Sequence, residues 1–363
     1  EAMRERAKAE KRSVGYDGTW RDRDPAEAPP GVAPTIRLKT ERAGATTIHD
    51  RVLGEVTVEN RELDDLIILR SDGTPTYNFS VVIDDHDMGI THVIRGNEHF
   101  RNAFRQTQIY RALGWPVPEF AHIPLIHGAD GSKMSKRHGA LGIEEYRALG
   151  YLPEALRNYL VRLGWSHGDD EIIATADAIR WFDLDGVGRA PAQFDFAKLG
   201  NLNAHYIREA DDARLVALVA ARLEAEIGHP LGETGRERLH RAMPELKLRP
   251  KTLVELADNA RFLVAPRPLR PKPDAAKLLT SEARRQLAAL VPALDRVGWR
   301  PGALEECLRS FAGAHATTLG AVAQPLRAAL TGSRASPGIF EVMAWLGREE
   351  TLGRIADAVA GPG

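Results

Sequence analysis

The sequence predicts a mixed fold, in which an α/β segment comes first and an all-α region follows. Short apolar segments separated by turn residues occupy the chain up to about residue 140, and the C-terminal third repeats apolar residues at helical spacing. With 363 residues, the chain exceeds one typical domain of about 100–150 residues, and we expect about two to four domains.

Composition is typical of a water-soluble globular protein, with 43% hydrophobic and 27% charged residues. No apolar run approaches the ~20 residues of a membrane span, and the N-terminal residues lack an apolar signal-peptide core. The single cysteine, Cys307, excludes an internal disulfide and a cysteine-cluster zinc site, and we therefore expect a cytoplasmic protein. Because the net charge is −1, any contact with nucleic acid must come from local basic patches.

Short strands are predicted first, at residues 36–39, 52–58 and 66–69. After a turn at Asp72-Gly73, the apolar run from Phe79 to Ile83 predicts a buried parallel strand that ends at two carboxylates, Asp84 and Asp85. The carboxyl ends of such strands are where α/β sheets bind ligands. The two aspartates therefore indicate either a ligand site at this edge or a cap of the following turn, which is the more frequent role of such residues.

The next strand ends in Arg95, and a helix is predicted to begin near Phe100. An arginine at this position can bind a carboxylate through two parallel hydrogen bonds. Glu98, in the turn between the two elements, can accept hydrogen bonds from a ribose or an amine. Taken alone, Arg95 is more often a surface salt-bridge residue, and both interpretations stay open at this point.

A glycine-flanked basic loop, Gly131-Ser132-Lys133-Met134-Ser135-Lys136-Arg137-His138-Gly139, carries three cations within five residues. Phosphoryl and nucleotidyl transfer depends on neutralising charge in the transition state, and lysine can follow a departing phosphate on its flexible stem. The loop therefore suits the phosphates of a nucleoside triphosphate. A basic surface turn is the alternative.

Helices dominate from about residue 141, with Pro153 in a first turn. Apolar spacing predicts them at 142–149, 152–163, 212–227, 253–263, 281–297, 301–314, 319–330 and 339–359. A proline-rich linker spans residues 266–273. Near it lie basic side chains that form either a nucleic-acid surface or a solvated basic face: Arg241, Lys247, Arg249, Lys251, Arg261, Arg267, Arg270 and Lys272.

These stretches together resemble bacterial glutamyl-tRNA synthetases. Lys133-Met134-Ser135-Lys136-Arg137 is similar to the second signature of class I aminoacyl-tRNA synthetases. Further similar segments follow in family order across most of the chain: residues 70–77, 84–86, 89–99, 151–160, 163–165, 194–195, 198–199, 203–207, 322–332 and 337–341.

The resemblance implies the second half of a class I synthetase Rossmann-type α/β domain with an α/β connective insertion, followed by an all-α C-terminal anticodon-binding region. The implied domains are part of the connective acceptor-stem-binding insertion (1–65), the second half of the catalytic domain (66–140), a stem-contact domain (141–212) and two helical anticodon-binding modules (213–264 and 265–363).

The resemblance also implies glutamate–tRNA ligase activity, in which ATP activates L-glutamate as glutamyl-adenylate and the glutamyl group passes to tRNA-Glu. Tyr77 and Arg95 are implied to bind glutamate, and Lys133 and Lys136 to be catalytic. The implied ATP-binding residues are Glu98, Lys133, Ser135, Lys136 and Arg137. Mg²⁺ is expected with ATP, without protein ligands. Trp20 stands where many relatives carry a zinc-binding cysteine, so we expect no zinc.

Anticodon contacts are implied at Arg249, Arg327, Ser336, Pro337 and Ile339. Anticodon bases are single-stranded and splayed, so arginine can hydrogen-bond to their edges or stack on them. A monomer that does not bind membranes is expected.

The first signature of these synthetases, a His-x-Gly-His element, is absent from the sequence. We therefore expect the chain to be an N-terminally truncated, weakly active or inactive piece of a synthetase. One alternative is a non-catalytic tRNA-binding protein derived from a synthetase. Another is a glutaminyl enzyme, although the helical C-terminus and Arg95 oppose it.

Overall fold

The computed structural model describes Glu5, Ala9 and residues 16–134 and 141–361. Up to residue 134 its strands and helices are β1 (Ile36–Arg37), β2 (Ala45–Asp50), β3 (Gly54–Glu59), β4 (Ile67–Leu69), α1 (Tyr77–Asp87), β5 (His92–Gly96), α2 (Phe100–Leu113), β6 (Glu119–Ile123) and β7 (Ile126–His127).

From residue 141 onward helices predominate. They are α3 (Ile143–Ala148), α4 (Pro153–Gly164), α5 (Thr175–Trp181), then β8 (Ala192–Gln193), α6 (Phe196–Glu209), α7 (Asp212–Ile227), α8 (Glu233–Leu246), α9 (Leu253–Ala260), α10 (Pro273–Ala276), α11 (Ser281–Arg296), α12 (Pro301–Ala314), α13 (Leu319–Thr331), α14 (Ile339–Leu346) and α15 (Arg348–Ala360). The predicted order, an α/β part followed by a helical part, is confirmed.

The chain divides into two compact units. The first contains residues 1–140 and 160–195, and the second contains residues 141–159 and 196–363. The segment 141–212, implied as one domain by the resemblance, is therefore divided between the units. Its functional assignment stays a prediction.

A four-stranded sheet of order β3-β2-β6-β5 organises the first unit. Strand β2 runs antiparallel to β3, whereas β6 runs parallel to both β2 and β5. Helix α2 covers the sheet, because Ala103 and Phe104 pack on Ile48 and Phe120. The parallel pairing brings the ends of β2, β5 and β6 to one edge, and this edge carries the candidate site.

The strand predicted at residues 79–83 is wrong, because this segment lies in helix α1. Phe79 and Val82 are three residues apart, so a helix places both on one face, where they pack against Ile109 and Tyr110 of α2. A run of five apolar residues does not distinguish a strand from a buried helix by itself. Asp85 therefore lies within the last turn of a helix, and the buried strand of this region is β6.

The second unit is built from helices around one continuous hydrophobic core. Local capping explains several helix starts: the Asp211 carboxylate accepts a hydrogen bond from the Arg214 N–H at 2.9 Å, and the Thr318 hydroxyl accepts one from the Ala321 N–H at 3.2 Å. Helices α7 and α12 have the predicted bounds, and the other predicted helices of this unit are found within a few residues of their predicted ends, with one exception.

The exception is the helix predicted at 339–359, which is two helices, α14 and α15. Gly347 separates them with a φ of 81°. Glycine adopts a positive φ without the steric cost that other residues incur. The apolar pattern continues across the break because both helices bury a face in the same core.

A buried arginine ties α15 to the segments around it. Arg354 is 1% exposed, and its guanidinium donates to Glu350 Oε1 at 2.7 Å, to the Leu330 carbonyl at 2.6 Å and to the Ala265 carbonyl at 3.3 Å. Burial lowers the pKa of Arg354, and the Glu350 carboxylate opposes this effect. Three separate segments are thereby joined through one side chain.

In the part of the chain that the structure describes, none of the helices has both the length and the apolar character needed to cross a membrane.

Candidate active site

Arg95 lies near the C-terminal end of β5, and its guanidinium is held from two directions. Its Nε donates to His122 Nε2 at 3.1 Å, and its Nη2 donates to Gln106 Oε1 at 2.8 Å and to the His99 carbonyl at 3.4 Å. Gln106 is itself fixed, because its amide donates to Asn78 Oδ1 at 3.2 Å. These contacts determine the plane of the guanidinium, which is the group expected to bind a carboxylate.

His122 and Asp50 lie behind Arg95 and are closed to solvent. His122 Nδ1 is 2.6 Å from Asp50 Oδ2, and both side chains are 0% exposed. The other carboxylate oxygen of Asp50 accepts from the backbone N–H groups of Val52, Leu53 and His122 at 2.9–3.1 Å. Burial raises the pKa of Asp50, but these hydrogen bonds outweigh it and hold the pKa below its usual value. Asp50 is thus ionised at neutral pH.

Tyr77 and Asp85, both on α1, lie close enough to Arg95 to interact with its charge. Burial lowers the pKa of Arg95, and the nearby Tyr77 hydroxyl and Asp85 carboxylate oppose this shift. Tyr77 is 51% exposed, so it can reach a ligand. The Tyr110 hydroxyl is buried beside them without a hydrogen-bond partner among the described residues, and burial raises its pKa to about 12. The arrangement provides a cation and hydroxyls at one edge of the sheet, which suits a carboxylate ligand.

Glu98 and Lys133 form a second cluster in the same unit. Glu98 lies in the 3₁₀ turn directly after β5, and its Oε1 is 3.0 Å from Lys133 Nζ. Backbone contacts hold Lys133 beside β7. Lys133 forms a β-bridge with His127, and the backbone N–H of the next residue, Met134, donates to the Ile126 carbonyl at 3.0 Å. A hydrogen bond from the Glu98 backbone N–H, followed by the one from Lys133, lowers the pKa of Glu98.

The structure therefore brings together two of the residues predicted to bind ATP. The remaining predicted residues of the basic loop, Ser135, Lys136 and Arg137, lie outside the described residues.

Arg327 lies on α13 in the second unit and fixes the loop that precedes α14. Its Nη1 donates to the Ser336 carbonyl at 3.1 Å, to the Pro337 carbonyl at 2.7 Å and to the Ser336 hydroxyl. Burial lowers the pKa of Arg327. Ile339, at the start of α14, is 4% exposed and packs in the core, so its side chain is not on the surface. Three of the predicted anticodon residues thus form one contact group.

A cleft of about 700 Å³ adjoins this loop. Its lining includes Ser336 and Pro337 together with Arg261, Arg270 and Lys272 from the predicted basic set. Several members of that set are paired with acids. Arg261 Nη2 lies 2.7 Å from Asp258 Oδ1, Arg241 Nη2 lies 3.6 Å from Glu237 Oε2, and Lys247 Nζ lies 2.8 Å from Asp212 Oδ1. Arg249 is exposed just after α8 and is not part of the cleft lining.

Trp20 lies in an exposed turn, and its backbone N–H donates to the Tyr16 hydroxyl at 2.6 Å. Next to it, Arg21 pairs with the buried Asp65, which also accepts from the Thr40 hydroxyl at 2.9 Å. Ion pairing and hydrogen bonding therefore hold this part of the chain. Among the residues that the structure describes, no group of three or more His, Cys, Asp or Glu side chains could hold a metal ion.

Sequence reasoning did not identify Asp50, His122 and Gln106 as partners of Arg95. They come from β2, β6 and α2, and no local motif links these segments. One signal was present: His122 is a polar residue at the end of the buried apolar pair Phe120-Ala121. A buried polar residue in a strand must have partners, which makes it a candidate for a structural or functional role.

Comparison with known proteins gives two matching families. The family described as "tRNA synthetases class I (E and Q), catalytic domain" matches residues 1–201, and "Anticodon binding domain" matches residues 214–359. "Glutamate--tRNA ligase 2" of Rhodospirillum centenum is 60% identical over 359 residues, which are 99% of this chain and 77% of that protein. The protein of the same name from Parvibaculum lavamentivorans is 60% identical over 361 residues, which are 99% of this chain and 74% of that protein.

Among solved structures, a glutamate tRNA ligase from Elizabethkingia meningosepticum, crystallised in complex with its amino acid, is similar to this chain. The TM-score is 0.84 at 28% sequence identity, and the match covers 99% of this chain and 77% of that structure. Glutamate-tRNA synthetase from Elizabethkingia anophelis matches with a TM-score of 0.80, also at 28% identity, over 99% of this chain and 77% of that structure.

Proposed function

We propose that this chain, which belongs to the glutamate–tRNA ligase family of class I tRNA synthetases, attaches L-glutamate to tRNA-Glu at the expense of ATP. The observation that carries the proposal is the edge of the sheet around β5. Arg95 and Tyr77 offer a carboxylate-binding group there, and the Glu98–Lys133 pair begins only three residues further along the chain, at Glu98. One residue of the proposed glutamate site, Arg95, and one of the proposed ATP site, Glu98, thus lie three residues apart in the chain.

In the proposed reaction an oxygen of the glutamate α-carboxylate attacks the α-phosphorus of ATP. The bond between the α-phosphorus and the bridging oxygen breaks, diphosphate leaves, and glutamyl-adenylate forms. A hydroxyl of the terminal tRNA ribose then attacks the activated carbonyl, and AMP leaves. Lys133 and Lys136 would stabilise the negative charge that develops on the phosphates, which is the main demand of such chemistry.

ATP binding is proposed to use Glu98, Lys133, Ser135, Lys136 and Arg137. Lys133 is 52% exposed and Glu98 is 37% exposed, so their ion pair can open to admit a nucleotide at little energetic cost. Mg²⁺ would enter with the triphosphate and offset part of its charge. The described residues offer it no ligand cluster.

Selectivity for glutamate over glutamine is proposed to depend on Arg95. Its Nε and Nη2 are already held by protein acceptors, so the cation is oriented before a ligand arrives. The γ-carboxylate of glutamate neutralises this partly buried charge. Glutamine offers only a neutral amide, which interacts more weakly with this charge, and the difference is largest where solvent access is low.

Recognition of tRNA-Glu is proposed to use the helical second unit. Arg327 would act on the anticodon through the loop that it fixes, with Ser336 and Pro337 at the cleft and the backbone at Ile339 beside them. Arg249 would make a separate contact, because its exposed side chain lies outside the cleft lining.

The functional division that we propose assigns residues 1–65 to the connective acceptor-stem insertion and 66–140 to the catalytic domain. It assigns 141–212 to stem contact, and 213–264 and 265–363 to the two anticodon modules. The gap between the two matched families, from residue 201 to 214, supports the start of the anticodon part near 213. We further propose that the protein is a monomer and works in the cytoplasm.

The test is binding of tRNA-Glu and ATP-dependent glutamylation, measured on the same samples with tRNA-Gln and an unrelated tRNA as controls. This chain and the product of the complete open reading frame are both assayed, because the sequence contains no His-x-Gly-His element. Glutamylation by the complete product supports the ligase. Binding of tRNA-Glu without charging by that product would instead favour a non-catalytic tRNA-binding protein, and charging of tRNA with glutamine would contradict the role of Arg95.

A further inference from the structure

We propose that His122, backed by Asp50, is a positioning residue that orients Arg95 for the substrate carboxylate and thereby sets the affinity for glutamate. The inference rests on the proposed function, because it assumes that Arg95 binds glutamate. It adds two buried residues that would not touch the substrate and would act only through the guanidinium.

In the chain of hydrogen bonds Arg95–His122–Asp50, the arginine and the carboxylate determine the direction of each bond. An arginine Nε can only donate, so His122 Nε2, 3.1 Å away, must accept. The imidazole proton must then lie on Nδ1, where it is donated to Asp50 Oδ2 at 2.6 Å. His122 is therefore neutral, in the tautomer protonated on Nδ1. Any other protonation state places two hydrogens between His122 and Arg95.

Asp50 is held firmly enough to select this tautomer. Its Oδ1 accepts from two backbone N–H groups in the turn after β2 and from one in β6, which prevents rotation of the carboxylate and leaves Oδ2 directed at the imidazole. Strand pairing adds to this order, because Arg95 of β5 lies directly opposite His122 of β6 in the parallel register. The backbone that carries each partner is therefore fixed by the sheet.

The surroundings exclude water from the contact. The ring of Phe100 meets His122 edge-on at 5.0 Å, and the Arg95 guanidinium lies 5.8 Å from the centre of the Phe120 ring. The charged or titratable groups that influence His122 are Asp50, Arg95 and His99. Burial and the Arg95 charge lower the pKa of His122, whereas Asp50 raises it, and the net shift is downward. The neutral acceptor form is thus favoured at physiological pH.

The functional consequence follows from side-chain entropy. A free arginine side chain samples many rotamers, and fixing it on binding opposes association before any contact is made. In this chain the His122 and Gln106 acceptors fix the guanidinium in advance. Loss of the His122 acceptor should therefore raise the KM for glutamate while the KM for ATP stays unchanged.

The first test reads the tautomer directly and needs no catalysis. Long-range nitrogen–hydrogen NMR spectra of the histidine-labelled chain distinguish the two neutral tautomers, and His122→Gln identifies the signal among the 12 histidines. We expect the proton on Nδ1 in the wild type. In Asp50→Asn the retained Oδ1 can still accept the three backbone N–H groups, but the new amide donates to Nδ1 and moves the ring proton to Nε2. A wild-type His122 protonated on Nε2, or on both nitrogens at neutral pH, would overturn the proposal.

The second test compares two amides at position 122 in the complete gene product. Glutamine can place its carbonyl oxygen near the position of Nε2 and so accept from Arg95, whereas asparagine reaches only the Nδ1 position. His122→Asn and Asp50→Asn should each raise the KM for glutamate by about three- to tenfold, because the guanidinium loses its orientation while its charge remains. His122→Gln should restore most of that loss. Equal impairment by the two amides, or equal increases in the KM for ATP, would refute a positioning role.

Arg95→Ala separates this inference from the proposed function. If Arg95→Ala raises the KM for glutamate and His122→Asn does not, only the positioning role fails. If Arg95→Ala leaves the KM for glutamate unchanged, the proposed glutamate site fails, and the NMR result then decides the tautomer alone. Thermal unfolding of every variant shows whether a kinetic change is merely a loss of folded protein.

Discussion

Replacement of Arg95 by alanine should abolish efficient use of glutamate and leave ATP binding intact. The guanidinium is half-buried and already oriented by His122 and Gln106, so its charge meets a ligand carboxylate in a site that is partly shielded from water. Removal of the side chain leaves the glutamate γ-carboxylate without its partner. The same change deletes no contact to Glu98 or Lys133, which are paired with each other.

The magnitude follows from the environment. Two unit charges about 4 Å apart attract by roughly 4 kcal/mol at an effective dielectric constant of about 20. Truncation of one member of a hydrogen-bonded charge pair at an interface typically costs about 2–5 kcal/mol. Since Arg95 is partly open, we expect a loss of about 3–4 kcal/mol, which is a hundredfold to several-hundredfold fall in kcat/KM for glutamate. Arg95→Lys keeps the charge but has no Nε to donate to His122, and should lose less.

The assay is glutamylation of tRNA-Glu over a range of glutamate and ATP concentrations. Arg105→Ala is the matched control, because Arg105 is an arginine of the same unit whose partner is Asp64, at 3.5 Å. Its kinetics should equal those of the wild type. A KM for glutamate that changes by less than about threefold in Arg95→Ala would refute the assignment of the carboxylate to this arginine.

Three further predictions concern the second unit. Arg354→Met should lower the free energy of unfolding by about 3–5 kcal/mol, because it leaves two carbonyls without their donor and the half-buried Glu350 with Arg238 as its remaining partner. A urea midpoint equal to that of the wild type would contradict this. Burial raises the pKa of Glu350, but hydrogen bonds from Arg354 and Arg238 outweigh it and keep the pKa below its ordinary value of 4.5. As the pH falls, Glu350 is therefore protonated in the unfolded state before it is protonated in the folded state, so the free energy of unfolding should fall below about pH 4.5. This fall should be less steep in Arg354→Met. Acid titration of the folded fraction measures both effects. Arg327→Ala should weaken discrimination among anticodons by roughly 1–3 kcal/mol, because it releases the loop at Ser336. Charging of wild-type and anticodon-altered tRNA measures this discrimination. Equal discrimination by the variant and the wild-type protein would remove Arg327 from the site.

Helices were predictable from the sequence wherever one apolar face and a local start or stop signal coincide. The helix Asp212–Ile227 is an example: Asp211 caps its first turn and Gly228, with a φ of 80°, ends it. Both signals lie within a few residues of the helix, so no tertiary information was needed. The break at Gly347 was missed because the apolar pattern continues through it, and glycine alone does not reveal its backbone conformation.

Residues 77–87 show the opposite case. Their β-branched apolar residues favour a strand, but the segment forms a helix because Phe79 and Val82 pack against helix α2. Intrinsic preference over so short a run is weak, and packing decides the outcome.

The sequence by itself determined the family and the order of an α/β part and a helical part, and it singled out Arg95, Glu98 and Lys133 as candidate site residues. These features lie in continuous segments, so their spacing survives in the linear order of residues. Only the tertiary structure decided what holds Arg95 in place. His122 is 27 residues from Arg95 along the chain, and Asp50 is 72 residues from His122. They meet because parallel pairing of β2, β6 and β5 aligns strands that are distant in sequence, and no local pattern specifies that alignment.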